Sequence, residues 1–305
     1  MFSSEGKNRD KEVAIAQVTL VPSESKKLIA MAVAKMEVVK QAWETGTIVI
    51  HPSSSTYFIV EELLGKKPWT NVWLCGVVTP KGTCIEMGSL VGPDSIGSQD
   101  STKKGAIYKP GAFSHSWVIR DKQLSTGVAL DKLLEQMGPN DVYIKGANAL
   151  DSGGSVGVLV GNAVEGGTIG RVTMAAKQQN FTIIYPIGLE KLIPIPIQEA
   201  AKAAHRTKYD YTMGLPCGLF PCPVGLTVTE LEALQILCDC NAVPIAAGGL
   251  GGAEGAVTLV LSGTKQALDK AANFIRISKG ASLPPVRTFI CAECPISFCG
   301  LSHLK

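Results

Sequence analysis

Two stretches of the sequence hold residue types that could bind a small anion and act on it. The first is His51-Pro52-Ser53-Ser54-Ser55-Thr56, between the β-branched run Thr47–Ile50 and an apolar stretch beginning at Tyr57. Backbone N–H groups at a helix start attract negative charge, and neighbouring hydroxyls add donors. Ser53, Ser54, Ser55 and Thr56 are therefore candidate ligand-binding residues. An ordinary helix cap with spare serines is the plainer alternative. His51 stands at the strand end, where an acid–base group is useful, although a structural histidine is the commoner outcome.

The second stretch is Lys145-Gly146-Ala147-Asn148-Ala149-Leu150-Asp151-Ser152-Gly153-Gly154, continuing to Gly166-Gly167-Thr168. Gly146, Gly153, Gly154, Gly166 and Gly167 let a ligand approach the backbone, with Thr168 beside them. Lys145 can pair with a phosphate or carboxylate. Asn148 and Asp151 are candidates to face the reacting part of the ligand. Tight turns that need positive φ explain the same glycines without a ligand. Lys191, just after a strand, is a further candidate for holding phosphate.

The tail carries Cys291, Cys294, Cys299 and His303. Three thiols and an imidazole at this spacing could form a tetrahedral zinc site. Three thiolates could instead hold part of an iron–sulfur cluster. Incidental cysteines in a frayed terminus are the alternative. The chain has nine cysteines, an odd number that fits a disulfide framework poorly.

The elements that must position these residues follow from periodicity. Helical spacing covers residues 26–44 with Ser23 as a cap, then 57–64 ending at Gly65, 128–137, 171–179 and 198–205. Strands are expected at 47–50, 71–78, 83–87, 116–120, 141–145 and 182–185, with a mobile glycine-rich loop at 92–105. Strand, small-residue loop and helix recur in that order, which is the pattern of a parallel sheet. Beyond it the order is a helix at 227–238 with a Thr229/Glu232 capping box, strands at 243–247 and 256–261, a helix at 265–277 and a last strand at 286–290. The expected fold class is α/β: an open, mostly parallel sheet flanked by helices, with a C-terminal ferredoxin-like α+β domain. The expected divisions are a disordered lead at 1–12, a ligand-binding domain at 13–206, a linker at 207–225, the small domain at 226–290 and a cysteine-rich tail at 291–305.

Composition narrows the function. In 305 residues, 46% are hydrophobic and 18% charged, which favours a large buried core. Net charge is only +3 without a basic stripe, and aromatics are 6%, so a nucleic-acid surface is not expected. No run of apolar residues is long enough for a membrane span, and no signal-peptide pattern opens the chain. The expected setting is cytoplasmic, with reduced thiols.

Thr47–Leu64 resembles the strand–serine loop–helix that opens the superfamily of sugar-phosphate isomerases, glucosamine-phosphate deaminases and coenzyme A transferases. Residues 142–170 resemble its second signature, a strand running into a Gly-Ala-Asp type turn and a glycine-rich helix start. Residues 183–194, with Gly188-Leu189-Glu190-Lys191, are similar to the following strand that ends in an acidic residue and a lysine. The order is like that of ribose-5-phosphate isomerase A and of the regulatory initiation-factor subunits, over roughly residues 25–205. The resemblance implies a small anionic partner (a sugar phosphate, organic acid or CoA ester), isomerase or transferase chemistry, and a homo-oligomer. The sequence departs from it where those isomerases carry paired acids, because Lys145 and Asn148 fall there. Glu62 and Asp151 are the nearby carboxylates to consider as a base, and Glu165 as a transferase nucleophile. The missing acid pair leaves a non-catalytic ligand sensor or assembly subunit as the alternative.

Overall fold

The computed structural model describes residues 13–68, 73–87, 116–161, 165–204 and 209–301. In chain order the first elements are β1 (Ala14–Leu20), α1 (Pro22–Val33), α2 (Glu37–Thr45), β2 (Thr47–Ile50), α3 (Tyr57–Leu64), β3 (Gly76–Thr79) and β4 (Gly82–Ile85). Next come β5 (Trp117–Arg120), β6 (Gln123–Ser125), α4 (Leu130–Gln136), β7 (Val142–Ile144), β8 (Ala149–Leu150), β9 (Val156–Val160), α5 (Gly167–Gln179) and β10 (Thr182–Pro186). The last are α6 (Ile197–Ala203), β11 (Gly218–Pro221), β12 (Leu226–Val228), α7 (Glu230–Cys238), β13 (Asn241–Ala247), β14 (Val257–Gly263) and α8 (Lys265–Ser278).

The chain is a mixed α/β protein built on a six-stranded sheet in the order β12-β10-β7-β2-β5-β6. β2, β7, β10 and β12 run parallel, while β5 and β6 add antiparallel strands at one edge. All four residues of β2 are buried. A strand covered on both faces reads as an unbroken apolar run, as Thr-Ile-Val-Ile does. Ile48, Ile50, Trp117, Ile144 and Ile184 face a core shared with α1, α2 and α3. Val49, Val118, Tyr143, Ile183 and Tyr185 face the other core, under α4 and α5.

A second, antiparallel sheet has the order β1-β14-β13. α1 packs against α3 on one side and against α7 and α8 on the other, so one core runs between the two sheets. This explains why nine residues of α1, Glu24, Ser25 and Lys26 among them, are buried.

Several elements differ from the sequence reading. The periodic stretch 26–44 is two helices, and α1 opens on Pro22 after Val21 rather than on a Ser23 cap. α1 is enclosed whereas only Val39 and Ala42 of α2 are buried, and a continuous period does not show the turn at 34–36 that separates them. Within the glycine-rich 153–170, residues 156–160 form a strand, and α5 starts at Gly167 instead of 171. Residues 207–225, read as a linker, contribute β11, which pairs with β9. The start of the expected helix 227–238 is strand β12 on the main sheet; the Thr229/Glu232 capping box then opens α7 as expected. Residues 286–290 form no strand. Pro284 and Pro285 precede them, and the segment lies along 73–87 through Trp73 Nε1 to Pro285 O (3.4 Å) and Met87 N to Arg287 O (2.7 Å). Its place in the small sheet is taken by β1, which the sequence reading left unassigned. The lead 1–12 and the loop 92–105 lie outside the described residues.

Candidate functional site

Parallel strands deliver their following loops to one edge, and in open α/β sheets ligands bind there. At this edge the ladder extends one residue past the strands: His51 N donates to Ile144 O (2.8 Å) and Lys145 N to Ile184 O (3.0 Å). By that register His51, Lys145 and Tyr185 stand side by side, and Tyr185 pairs with Thr227. Lys145 shares its sheet face with Tyr143, two residues earlier.

Lys145 retains 9% of its surface, and its ammonium donates no hydrogen bond among the described residues. Burial pulls its pKa below the ordinary lysine value, with Cys75 and Cys222 acting in the opposite direction; no carboxylate does so. The two thiols are themselves pushed up to about 11 by burial. The Tyr143 and Tyr185 hydroxyls are also buried, the first beside Ser116 and the second beside Thr173 and Cys222.

The serine loop lies against this edge because residue 146 is glycine. A Cβ there would come within 2.7 Å of Ser53 Oγ. Lys191 then ties three segments together: its Nζ donates to Ser55 Oγ (3.1 Å) and to Ala147 O (2.8 Å). Burial lowers the Lys191 pKa to about 8; Lys26 and Lys145 add to the fall, and Glu190 and Glu230 oppose it. Thr56 is fully buried, its hydroxyl on His51 O (2.7 Å) and beside Ser53 Oγ (3.0 Å). Ser53 and Ser54 are half-buried at the rim. Ser55 and Lys191, expected to grip a ligand, thus hold each other as well.

Comparison with protein-family models, with curated proteins and with solved structures finds no match. The site therefore rests on its own geometry.

The other candidates serve the backbone. Asp151 Oδ1 accepts from Gly153 N (3.0 Å) and Ser155 N (2.9 Å), and Oδ2 accepts from Ile197 N at the start of α6 (3.0 Å). Burial works against its charge, but these hydrogen bonds prevail and hold its pKa below the ordinary value. Asn148 is exposed, and its Oδ1 accepts from Leu159 N (3.0 Å). Gly154, at φ 81°, completes the Asp151 turn, and its carbonyl accepts from Thr227 Oγ1 (3.1 Å). Gly166 and Gly167 open α5 at positive φ, with Thr168 half-buried next to them. A Cβ on Gly166 would meet the Phe220 ring at 2.4 Å. Glu62 is drawn to Lys27 Nζ (2.6 Å), pinning α3 to α1.

Sequence reasoning missed the layer beneath the site. Lys26 Nζ lies 2.8 Å from Glu190 Oε1 in a buried pair, and Glu190 Oε2 is buried without a hydrogen bond among the described residues. Glu230 is fully buried, accepts Leu189 N (2.9 and 3.2 Å), and burial raises its pKa to about 7. The one available signal was Glu190 itself, which the sequence sets beside Lys191 without showing its partner Lys26.

Cys291, Cys294 and Cys299 line one cavity of about 40 Å³, together with Cys84 of β4. Among the described residues no three His, Cys, Asp or Glu side chains are gathered to hold a metal ion, and His303 lies outside those residues. Among the described residues, too, no helix is long and apolar enough to cross a membrane.

Proposed function

We propose that this chain binds a small anionic molecule, such as a sugar phosphate, an organic acid or a CoA ester, at the carboxyl edge of β2, β7 and β10. The reading extends to isomerase or transferase chemistry on a sheet of the sugar-phosphate isomerase type, with a ferredoxin-like small unit. Lys145 carries it. Among the described residues its buried ammonium has no counter-charge or hydrogen bond, which is costly, and a bound carboxylate or phosphate offsets that cost. The half-buried Ser53 and Ser54 hydroxyls and the adjacent start of α3 suit the same charge.

The test is a thermal-shift screen against those ligand classes, with Lys145→Met alongside. A ligand that binds the folded state raises its melting temperature by mass action. A shift in the native chain that Lys145→Met loses supports the site. Equal shifts in both proteins, or none in any class, would overturn it.

A non-catalytic sensor or assembly subunit is the second reading, and one observation favours it. The outer face of the β1-β14-β13 sheet exposes several large apolar side chains: Ile15 is 72% exposed, Val243 50% and Ile245 55%, with Leu250 at 90% in the adjoining turn. Such a face suits a homo-oligomer.

A further inference from the structure

We propose that Lys145 is a nucleophile that forms an imine with a small carbonyl compound bearing a carboxylate or phosphate. The inference rests on the anion-site reading and deepens it by assigning the chemistry. A lysine that attacks a carbonyl needs a free lone pair, a position out of bulk water and a reason to lose its proton. Three lysines lie at or beneath this edge, and two are committed. Lys26 is ion-paired with Glu190, and Lys191 donates to Ser55 Oγ and Ala147 O. Of the three, Lys145 alone is buried with no side-chain hydrogen bond and no facing carboxylate among the described residues.

Its surroundings suit that role. Lys191 and Lys145 repel each other electrostatically, so a second cation stands by the nucleophile, the arrangement that favours a neutral amine. The thiols that act on Lys145, Cys75 and Cys222, have their pKa values raised to about 11 and stay protonated near neutrality. They do not compete as thiolates. The Tyr185 hydroxyl, buried in the same row, likewise keeps its proton.

In the step itself, neutral Nζ attacks the carbonyl carbon. The C–N bond forms, the carbonyl π electrons move to oxygen, and a proton from nitrogen passes to that oxygen. The carbinolamine hydroxyl takes a second proton from solvent and leaves as water, the nitrogen lone pair forming the C=N bond of a protonated imine. Nothing is oxidised or reduced, and hydrolysis restores the amine. Lys191 uses two of its three N–H groups on Ser55 Oγ and Ala147 O; the third, with the serine-loop hydroxyls, holds the anionic end, whose charge offsets that of the protonated imine on Lys145.

The experiment is borohydride trapping on the full chain. Pyruvate serves as the carboxylate probe and dihydroxyacetone phosphate as the phosphate probe, each read by intact mass and peptide mapping. The expected result is one covalent adduct per chain at Lys145 with at least one probe, suppressed by excess inorganic phosphate. The probe that labels identifies the anionic group. Labelling only of exposed lysines, or labelling unaffected by phosphate, would overturn the proposal. So would no adduct while inorganic phosphate still raises the melting temperature, an outcome that leaves the anion site standing. Absence of both adduct and thermal shift would overturn both readings. Peptide mapping is done on the native chain, so the result does not depend on a variant that folds.

Discussion

Lys191 Nζ donates to Ser55 Oγ across 3.1 Å, joining residues 136 positions apart. The bond spans β7, because Lys191 follows β10 and Ser55 follows β2. With the second donation to Ala147 O, one ammonium fixes the three loops of the candidate site.

Lys191→Met leaves both acceptors without this donor, and should destabilise the chain by about 1–3 kcal/mol. Ser55→Ala should cost less, because Lys191 keeps Ala147 O. Urea unfolding of the two variants and their combination measures the coupling. Additive effects would show that the Lys191–Ser55 bond contributes nothing of its own.

Stability should depend on pH through Glu230. Burial raises its pKa from 4.5 to about 7, so between those values the folded chain keeps a proton that the unfolded chain releases. That contribution is complete below pH 4.5 and is lost as pH rises through about 7. Glu230→Gln keeps an oxygen for Leu189 N and removes the titration. The native-minus-variant difference in unfolding free energy should therefore fall across this window, and a flat difference would refute it. Lys191 works in the opposite sense. Its pKa is lowered from 10.5 to about 8, so stability should rise with pH between those values, and Lys191→Met should abolish that rise.

Asp151→Ala should destabilise the chain by about 2–4 kcal/mol, since three backbone donors lose a charged acceptor. The native chain should also lose stability in acid. The lowered pKa of Asp151 makes its contribution present above 3.8 and lost as pH falls through the folded-state value. Chemical unfolding at neutral and acid pH checks both. A variant as stable as the native chain would exclude a structural role and return Asp151 to the list of reacting groups.

Gly146→Ala forces the serine loop off the β7 edge, because the new methyl would stand 2.7 Å from Ser53 Oγ. Overpacking of this kind costs about 1–3 kcal/mol. The melting temperature should drop, and any anion-dependent shift with it. An intact ligand shift in a folded Gly146→Ala chain would place the ligand elsewhere.

Ile15→Lys and Val243→Lys put charge on the open face of the β1-β14-β13 sheet. Both residues are half exposed or more, so the fold should tolerate them. Light scattering after gel filtration should find an oligomer in the native chain and a smaller species in the double variant. A monomeric native chain would remove the assembly reading.

Much of this was legible in the sequence where a local rule and the tertiary environment agree. β2, α3 and its Gly65 stop, β10 and the Thr229 cap all came from apolar runs and capping residues. The errors share a cause. Glycine was read as loop in 153–170, yet Gly157 is what lets β9 pack on Leu219, whose Cδ1 would lie 2.9 Å from a Cβ there. β1 has small inward residues, Ala14 and Ala16, whose contribution depends on partners far along the chain. At the site, sequence placed Lys145, Lys191 and the serine loop together. It could not tell which lysine is left without a partner, because that depends on hydrogen bonds between loops rather than on spacing.

The pairing of β1 with β14 has a temporal side. Thr19 and Thr258 share a 2.9 Å hydroxyl contact across 239 positions of chain. A ribosome adds about 5–20 residues per second, so the strand emerges on the order of 10–50 s before its partner exists. Through that interval α1 also lacks α7 and α8, which complete its cover. Nascent chains should therefore engage a holding chaperone through residues 14–33 until β14 emerges. β1 is made long before β14 and is among the last strands to find its place.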